Sequence, residues 1–145
     1  MNAVNVKRLK VKAILPTYGS KESAGADLYA CLDEDIVIEP GQSAFIPTGL
    51  AMELPKGHAG LIYARSGLAC KKGLAPANKV GVIDSDYRGE FMIVLHNHST
   101  QPQIIANGER IAQLVITAVF TPGFTEVEEL TDTVRSNGGF GSTGK

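Results

Sequence analysis

The sequence predicts an all-β fold, a distorted antiparallel β-barrel or jelly-roll with one short helix. Apolar and polar residues alternate in several short segments, which is the period of a half-buried strand. Turn-forming residues separate these segments, and 16 of the 145 residues are glycine, above the usual level of about 7 per cent. No segment keeps the period of an amphipathic helix for long. A chain of this length is sufficient to bury the core of one domain.

Four strands follow from local patterns. Alternation of apolar and polar residues predicts strands over 9–13 and 50–54. The runs FMIVLH (91–96) and LVITAVF (114–120) are rich in β-branched and aromatic residues and predict two more. Breakers such as Pro47 stand between them, so the strands are expected to be short.

One helix of about two turns is predicted over 66–73. Ser66 is the expected N-cap and Gly73 the expected stop. At the start of this helix, Arg65, Ser66 and Gly67 offer a guanidinium, a hydroxyl and backbone N–H groups to one point, which suits a phosphate. The alternative is a plain N-cap beside a solvent-exposed arginine.

A hairpin with a longer loop is predicted where VGVID (80–84) reads as a buried strand and EFMIVLH (90–96) returns. Asp84 ends the first strand, where a rigidly held carboxylate can orient water, and Tyr87 offers a flat wall beside it. Turn formation alone also explains the polar residues. A calcium loop is rejected because Arg88 occupies a ligand position.

Two other segments carry isolated polar residues. Asp27, in AGADLYA, is either the outward face of a strand or a carboxylate placed near a cation. In GERIAQL, Arg110 and Gln113 lie three apart on a predicted strand, so they should face opposite sides. At most one of them would then point into a given pocket, and Gln113, the odd polar residue of its run, is the candidate.

Composition excludes several classes of function. A formal net charge of -1 and the lack of a basic run argue against nonspecific nucleic-acid binding. The most apolar stretch, 111–120, is far shorter than a membrane span, and the N-terminus lacks the apolar core of a signal peptide. Cys31 and Cys70 form neither a disulfide framework nor a metal spacing, so free thiols in the cytoplasm are expected.

The tail VRSNGGFGSTGK (134–145) matches G-x-G-x-x-G and the start of a P-loop by letter. Both mechanisms need a helix N-terminus after the glycines, which this tail does not offer. Two interpretations remain open. The tail is a frayed terminus, or its glycine N–H groups wrap an anion while Arg135 supplies charge and Phe140 a stacking face.

In this order, five segments closely resemble the five motifs of the trimeric dUTP pyrophosphatase family, the dUTPases. The resemblance runs from residue 24 to 144, and VGVIDSDYRGE together with RSNGGFGSTG is highly specific. Two positions depart from the family pattern: Ser136 stands where glycine is usual, and Ala64 where proline is common. The segments are AGADLYA (24–30), ARSGLA (64–69), Asn78 with VGVIDSDYRGE (80–90), GERIAQL (108–114) and the tail.

The resemblance implies hydrolysis of dUTP to dUMP and pyrophosphate by water attack on the α-phosphorus. This would limit uracil incorporation into DNA and supply dUMP for dTMP synthesis. Asp84 is the implied catalytic residue, holding the deoxyribose 3'-hydroxyl and the water. Uracil and the sugar are implied to contact Asn78, Gly81, Val82, Ile83, Tyr87 and Met92.

The triphosphate would take the remaining contacts. The implied α/β-phosphate contacts are Arg65, Ser66, Gly67 and Gln113, and Asp27 would reach a phosphate-bound Mg²⁺ through water. The tail is implied to close as a lid, in which Arg135 meets the γ-phosphate and Phe140 stacks on uracil. Further donors would come from Gly141, Ser142 and Thr143.

For the assembly, the resemblance implies a homotrimer with three shared sites and a C-terminal tail exchanged between subunits. Residues 1–133 would form the barrel and 134–145 its lid. Two other functions stay open: a dCTP deaminase-related enzyme, and a non-catalytic nucleotide-binding module.

Overall fold

A computed structural model describes residues 3–139, which form eleven strands and one helix. The predicted all-β class with a single short helix is confirmed. In chain order the elements are β1 (Asn5–Arg8), β2 (Thr17–Tyr18), β3 (Ala26–Tyr29), β4 (Ile36–Ile38), β5 (Ser43–Glu53), β6 (His58–Tyr63), α1 (Ser66–Lys72), β7 (Leu74–Pro76), β8 (Gly81–Ile83), β9 (Glu90–Asn97), β10 (Gln103–Ile105) and β11 (Arg110–Ala118).

The strands form two main antiparallel sheets and a ribbon. One sheet has the order β1-β5-β9-β7, the other the order β2-β3-β11-β6-β8, and β10 pairs with β4. A single cluster of buried apolar side chains joins the two main sheets, with Leu28, Ile62 and Leu114 from one and Leu50 and Phe91 from the other. The two sheets therefore share one core, as in a jelly-roll.

Strand β9 follows the expected period of two. Phe91, Ile93 and Leu95 are buried, whereas Met92 and Val94 lie on the opposite, less buried face. The strand predicted over 91–96 from its β-branched and aromatic residues is confirmed, and the observed alternation places Met92 outside the core.

Strand β5 does not obey the expected interruption at Pro47. The strand continues through this residue, and its register against β9 shifts between Pro47 and Ala51. Thr48 fills the irregularity because its hydroxyl donates a hydrogen bond of 2.7 Å to the Phe91 carbonyl. A bulge thus accommodates the proline inside a long strand.

Gly49, in this bulge, cannot be replaced without strain. Its φ of +68° is a left-handed conformation, and an added Cβ would lie 2.8 Å from Sγ of Cys31 and 2.9 Å from Cβ of Ala13. We expect Gly49→Ala to lower the free energy of unfolding by about 2 to 4 kcal/mol, the sum of conformational and overpacking costs. Denaturant unfolding measures this loss.

The matched control for that prediction is Gly57→Ala. Gly57 also has a positive φ, +73°, but an added Cβ would meet no atom within 4 Å. This control should lose only the conformational cost of about 1 to 2 kcal/mol. Equal losses in the two variants would contradict the steric argument at Gly49.

The strand predicted over 9–13 is wrong. These residues form bends and a turn, in which the Leu9 amide donates to the Gly49 carbonyl at 2.7 Å. Lys10 and Lys12 both bind Asp33, at 3.1 and 2.6 Å, and their hydrogen bonds, that of Lys12 first, lower the pKa of Asp33. Alternation alone does not make a strand: the pairing of β1 with β5 ends at Arg8 and Leu50, so residues 9–13 lie beyond it.

The helix ends where it was predicted to end, but its predicted N-cap is wrong. Arg65 is the N-cap residue, with an extended backbone and no side-chain cap, and Ser66 is the first helical residue. Gly73 takes the left-handed conformation and donates its amide to the Ala69 carbonyl at 3.0 Å. Leu68 anchors the helix to the core.

No helix within residues 3–139 is long and apolar enough to cross a membrane. Cys31 is a buried free thiol and Cys70 an exposed one.

Candidate active site

A pocket of about 240 Å³ lies where the sequence predicted a hairpin. The paired hairpin is wrong, because β8 pairs only with β6 in one sheet while β9 lies between β5 and β7 in the other. Residues 84–89 carry the chain between the two sheets. The strands diverge instead of pairing, and the pocket opens between them.

The segment VGVID is also not a buried strand. Val82 is 65% exposed, and Ile83 is only partly buried. Strand β8 is the edge of its sheet, so one side of its backbone is unpaired. Its outward groups are therefore available to a ligand.

Seven residues that the resemblance assigned to substrate or catalysis line this one pocket: Asn78, Gly81, Val82, Ile83, Asp84, Tyr87 and Met92. Other walls come from residues that sequence reasoning did not single out: Ile62, Pro76, Glu90, Phe91, Ile93 and Val94. Apart from Glu90, these are apolar residues for which the sequence indicates only packing. Their place in the pocket follows from sheet topology.

The loop after Asp84 is held by several local contacts. The Tyr87 amide donates to the Asp84 carbonyl at 3.2 Å, and the Tyr87 hydroxyl donates to the Glu90 carbonyl at 3.1 Å. An added Cβ on Gly89 would lie 2.3 Å from the Tyr87 hydroxyl oxygen, so only glycine allows this approach. The Tyr87 ring also lies 6.3 Å from that of Phe91. The loop therefore holds Asp84 at the pocket in a defined position.

A strained turn shapes the other wall of the pocket. The Val80 amide donates to the Asn78 carbonyl at 2.7 Å, across Lys79, whose φ is +65°. This is a γ-turn with positive φ, a rare and strained conformation for a residue with a side chain. The turn aims Asn78 and the start of β8 into the pocket.

Substitutions at Lys79 test this strain. A β-branched residue tolerates positive φ poorly, so we expect Lys79→Val to be less stable than Lys79→Gly by about 1 to 3 kcal/mol. The Lys79 side chain is exposed, and both variants remove it equally. Denaturant unfolding measures the difference, and equal stabilities would show that the turn is not strained.

A second cluster forms around Asp27, whose side chain is 14% exposed. Arg65 donates from Nε to Oδ1 of Asp27 at 2.7 Å, and Arg110 from Nη1 to Oδ2 at 3.2 Å. Gln113 lies opposite Asp27 on the neighbouring strand and donates to the Ala64 carbonyl at 2.8 Å. The carboxylate thus lies between two guanidinium groups.

The prediction that Arg110 and Gln113 face opposite sides is wrong. Arg110 pairs with Tyr29 and Gln113 with Asp27, and a bulge lies between Arg110 and Ala112. The extra residue of the bulge resets the alternation, so Arg110 and Gln113 face the same side. Sequence reasoning missed Arg110 because the pattern GERIAQL contains no sign of a bulge.

Ser66 and Gly67 lie exposed at the start of α1, directly after Arg65. Neither contributes to the pocket between β8 and β9. The Asp27 cluster and this helix start together form a polar, cationic surface.

The two clusters lie apart on the sheet. Asp27, Gln113 and Tyr63 are in register across β3, β11 and β6, whereas Asp84 follows Ile83, which pairs with Gly60 further along β6. Across the sheet, Asp84 lies three strand spacings from Asp27, and along the strands it lies four residues away. Together these offsets correspond to a distance of roughly 20 Å. The described residues therefore carry two spatially separate polar clusters.

Residues 119–139, which include the start of the tail, contain no strand or helix, and their large apolar side chains are exposed. Arg135 is exposed and donates from Nε to the Gly138 carbonyl at 2.9 Å. Ser136 has a φ of +44°, the left-handed conformation that glycine, usual at this position in the family, adopts readily. The predicted contacts Phe140, Gly141, Ser142 and Thr143 lie outside the described residues.

A metal ion would find no protein cage here. Within residues 3–139, no group of three His, Cys, Asp or Glu side chains could hold one. Both oxygens of Asp27 accept hydrogen bonds from arginines, although a carboxylate keeps lone pairs for water. The donor set fits a Mg²⁺ ion that is carried by phosphates and keeps its waters.

Comparisons with known proteins identify the family. The dUTPase family model matches residues 11–144. The deoxyuridine 5'-triphosphate nucleotidohydrolase of Desulfitobacterium hafniense is 50% identical, covering 99% of each chain. That of Syntrophotalea carbinolica is 48% identical, over 97% of this chain and 96% of the relative.

Solved structures agree. The Staphylococcus bacteriophage 80alpha dUTPase with dUPNHPP is 31% identical, with a TM-score of 0.87 over 100% of each chain. A mutant dUTPase from phage phi11 of S. aureus, described with a structural Mg(II) ion, is 29% identical, with a TM-score of 0.82 over 90% of this chain and 100% of that one. On this agreement of family model, relatives and fold, the chain belongs to the dUTPase family, as its five motifs predicted.

Proposed function

We propose that this chain hydrolyses dUTP to dUMP and pyrophosphate by attack of water on the α-phosphorus. The observation that carries the proposal is the pocket between β8 and β9, with Asp84 at its wall, in a chain of the dUTPase family. Curated relatives about half identical to this chain bear the name of that activity. At about 240 Å³, the pocket is below the usual range for drug-sized ligands, roughly 300 to 1,000 Å³, so it suits the nucleoside part alone.

Uracil binds against the unpaired edge of β8. The backbone groups of Gly81, Val82 and Ile83 on that edge imitate a base-pairing partner, with Asn78 and Met92 completing the walls. The amino group of cytosine would place a hydrogen-bond donor against a donor of the protein. Leaving such a buried polar group unpaired costs about 1 to 3 kcal/mol of binding free energy. The narrow pocket excludes the thymine methyl group.

The sugar lies over Tyr87, which leaves no room for a ribose 2'-hydroxyl. Asp84 accepts a hydrogen bond from the deoxyribose 3'-hydroxyl and orients the attacking water. The water oxygen bonds to the α-phosphorus as the bond to the pyrophosphate oxygen breaks, and the water proton leaves through the carboxylate. Placement and charge neutralisation supply most of the rate in such transfers.

The phosphates extend from the pocket to the second cluster. Arg65, Ser66, Gly67 and Gln113 bind the α- and β-phosphates. When bound, Mg²⁺ would neutralise charge on the phosphates, and Asp27 would hold it through water. A structural Mg(II) ion described for the phi11 relative supports a metal in the family.

The working unit is a homotrimer with three shared sites. The separation of about 20 Å between Asp84 and Asp27 supports this, because the phosphate cluster of the same chain lies that far from the pocket. Residues 134–145 act as a lid on the barrel of 1–133 and exchange between subunits. In the lid, Arg135 binds the γ-phosphate, Phe140 stacks on uracil, and Gly141, Ser142 and Thr143 donate hydrogen bonds.

In the cell, the reaction would limit uracil incorporation into DNA and supply dUMP for dTMP synthesis. A cytoplasmic location fits this role. The free thiols of Cys31 and Cys70 support a reducing compartment.

A nucleotide panel tests the proposed function. Purified protein with Mg²⁺ is given dUTP, dCTP, dTTP or UTP, and pyrophosphate and ammonia are measured. We expect pyrophosphate from dUTP with little from the others. Ammonia from dCTP would favour the deaminase-related alternative, and binding without cleavage would favour a non-catalytic module.

A further inference from the structure

We infer that Arg110 is a positioning residue for the triphosphate, acting through Asp27 on Arg65. The inference rests on the proposed function, and it concerns a residue that the sequence pattern set aside. Its basis is the bulge in β11, which turns Arg110 toward the Asp27 cluster.

The bulge has one clear structural effect. Without it, strict alternation would place Arg110 and Gln113 on opposite faces of β11. With it, Arg110 and Gln113 pair with Tyr29 and Asp27, two residues apart on β3, and share one face. Bulges that re-aim a side chain are common beside active sites.

Arg65 and Arg110 each bind a different oxygen of the Asp27 carboxylate. Arg65 Nε binds Oδ1 of Asp27 at 2.7 Å, and Arg110 Nη1 binds Oδ2 at 3.2 Å. With each oxygen occupied by a different guanidinium, the carboxylate cannot turn toward either one alone. Arg110 therefore fixes the orientation in which Asp27 holds Arg65.

That orientation leaves Arg65 able to bind an anion. Its Nε is occupied by Asp27, but neither terminal nitrogen of Arg65 makes a hydrogen bond within residues 3–139. A guanidinium held at one edge still presents paired N–H donors, which match two phosphate oxygens. The side chain is 24% exposed, so solvent and ligand can reach it.

Charge adds a second effect. Two guanidinium groups and one carboxylate leave the cluster with a formal charge of +1, which attracts a triphosphate. Removing Arg110 would leave a neutral ion pair between Arg65 and Asp27. The Arg110 side chain is 52% exposed, and Asp27 keeps its ion pair with Arg65 when Arg110 is removed. The substitution therefore leaves no unpaired buried charge.

The first test compares three variants. In Arg110→Ala, we expect kcat/KM for dUTP and affinity for a non-hydrolysable dUTP analogue each to fall about 10-fold, as for other residues that orient a binding group. Affinity for deoxyuridine, which has no phosphates, should not change. Arg110→Lys, which keeps the charge, should recover part of the loss. The control Arg8→Ala removes an exposed arginine of β1 and should match the wild type.

A double-mutant cycle with Asp27→Asn tests whether Arg110 acts through Asp27. If it does, adding Arg110→Ala to Asp27→Asn should cost much less than the 10-fold seen in the wild type, since coupled residues are not additive. An equal cost in both backgrounds would overturn the positioning role. So would an equal loss of deoxyuridine and triphosphate affinity, which marks a general structural defect.

The failures of the two proposals are distinguishable. A wild type that binds the dUTP analogue but releases no pyrophosphate from dUTP would overturn the proposed function, while the affinity comparison would still decide the role of Arg110. A fully active wild type with an equally active Arg110→Ala variant would overturn the role of Arg110 alone.

Discussion

Asp84→Asn should lower pyrophosphate release from dUTP on the order of 100- to 10,000-fold, the usual contribution of a positioned acid–base group. The amide has nearly the same shape as the carboxylate, and the loop contacts that hold this position, from the Tyr87 amide and hydroxyl, do not involve the Asp84 side chain. The change therefore removes a charge and a proton acceptor without moving the pocket. Affinity for a non-hydrolysable dUTP analogue should be largely retained.

Asp86→Asn is the matched control for Asp84→Asn. Asp86 lies in the same loop and is also exposed, but it does not line the pocket between β8 and β9. It should keep the turnover of the wild type. Unchanged turnover in Asp84→Asn would remove Asp84 from the mechanism, and equal losses in both variants would indicate damage to the loop.

Deleting residues 135–145 should preserve the trimer and reduce activity on the order of 100-fold or more, because a charge-stabilising arginine alone contributes that much in phosphoryl transfer. The described part of the tail forms no strand or helix, so the core of the barrel does not depend on it. Pyrophosphate release measures the activity, and sedimentation velocity measures the assembly.

Two results would decide against the lid. A truncated chain that sediments as a monomer would show that the tail holds the subunits together. Full activity after truncation would show that the tail does not close over the substrate. Arg135→Ala in the full chain separates the γ-phosphate contact from the rest of the lid, and its loss of activity should be large but smaller than that of the truncation.

Ser136, which stands where the family usually has glycine, has a left-handed backbone conformation. Its φ of +44° lies in the left-handed region. Glycine adopts this region freely, whereas serine does so at some cost in conformational energy. The backbone at this position therefore suits the glycine that is usual in the family. Ala64, the other departure, still offers its carbonyl to Gln113.

Much of the molecule could be predicted from local sequence. The β-branched and aromatic run 91–96 predicted β9, Gly73 predicted the end of the helix, and five motifs in order predicted the family. Each of these predictions depends on residues that are near one another in the chain. Their hydrophobic period and their turn-forming residues can be read without knowing the tertiary contacts. The seven pocket residues were predicted as one group for the same reason, because 78–92 is a nearly continuous segment.

Tertiary structure decided how those segments pair. Strands β8 and β9 joined different sheets although their sequences suggested a hairpin, and a bulge in β11 brought Arg110 to Asp27. Pairing and register depend on partners distant in sequence, and a one-residue shift reverses every side chain that follows, so local alternation cannot predict them. The family and seven of the residues that line the pocket thus followed from local sequence alone, whereas the separation of about 20 Å between Asp84 and the Asp27 cluster was determined by strand order and register.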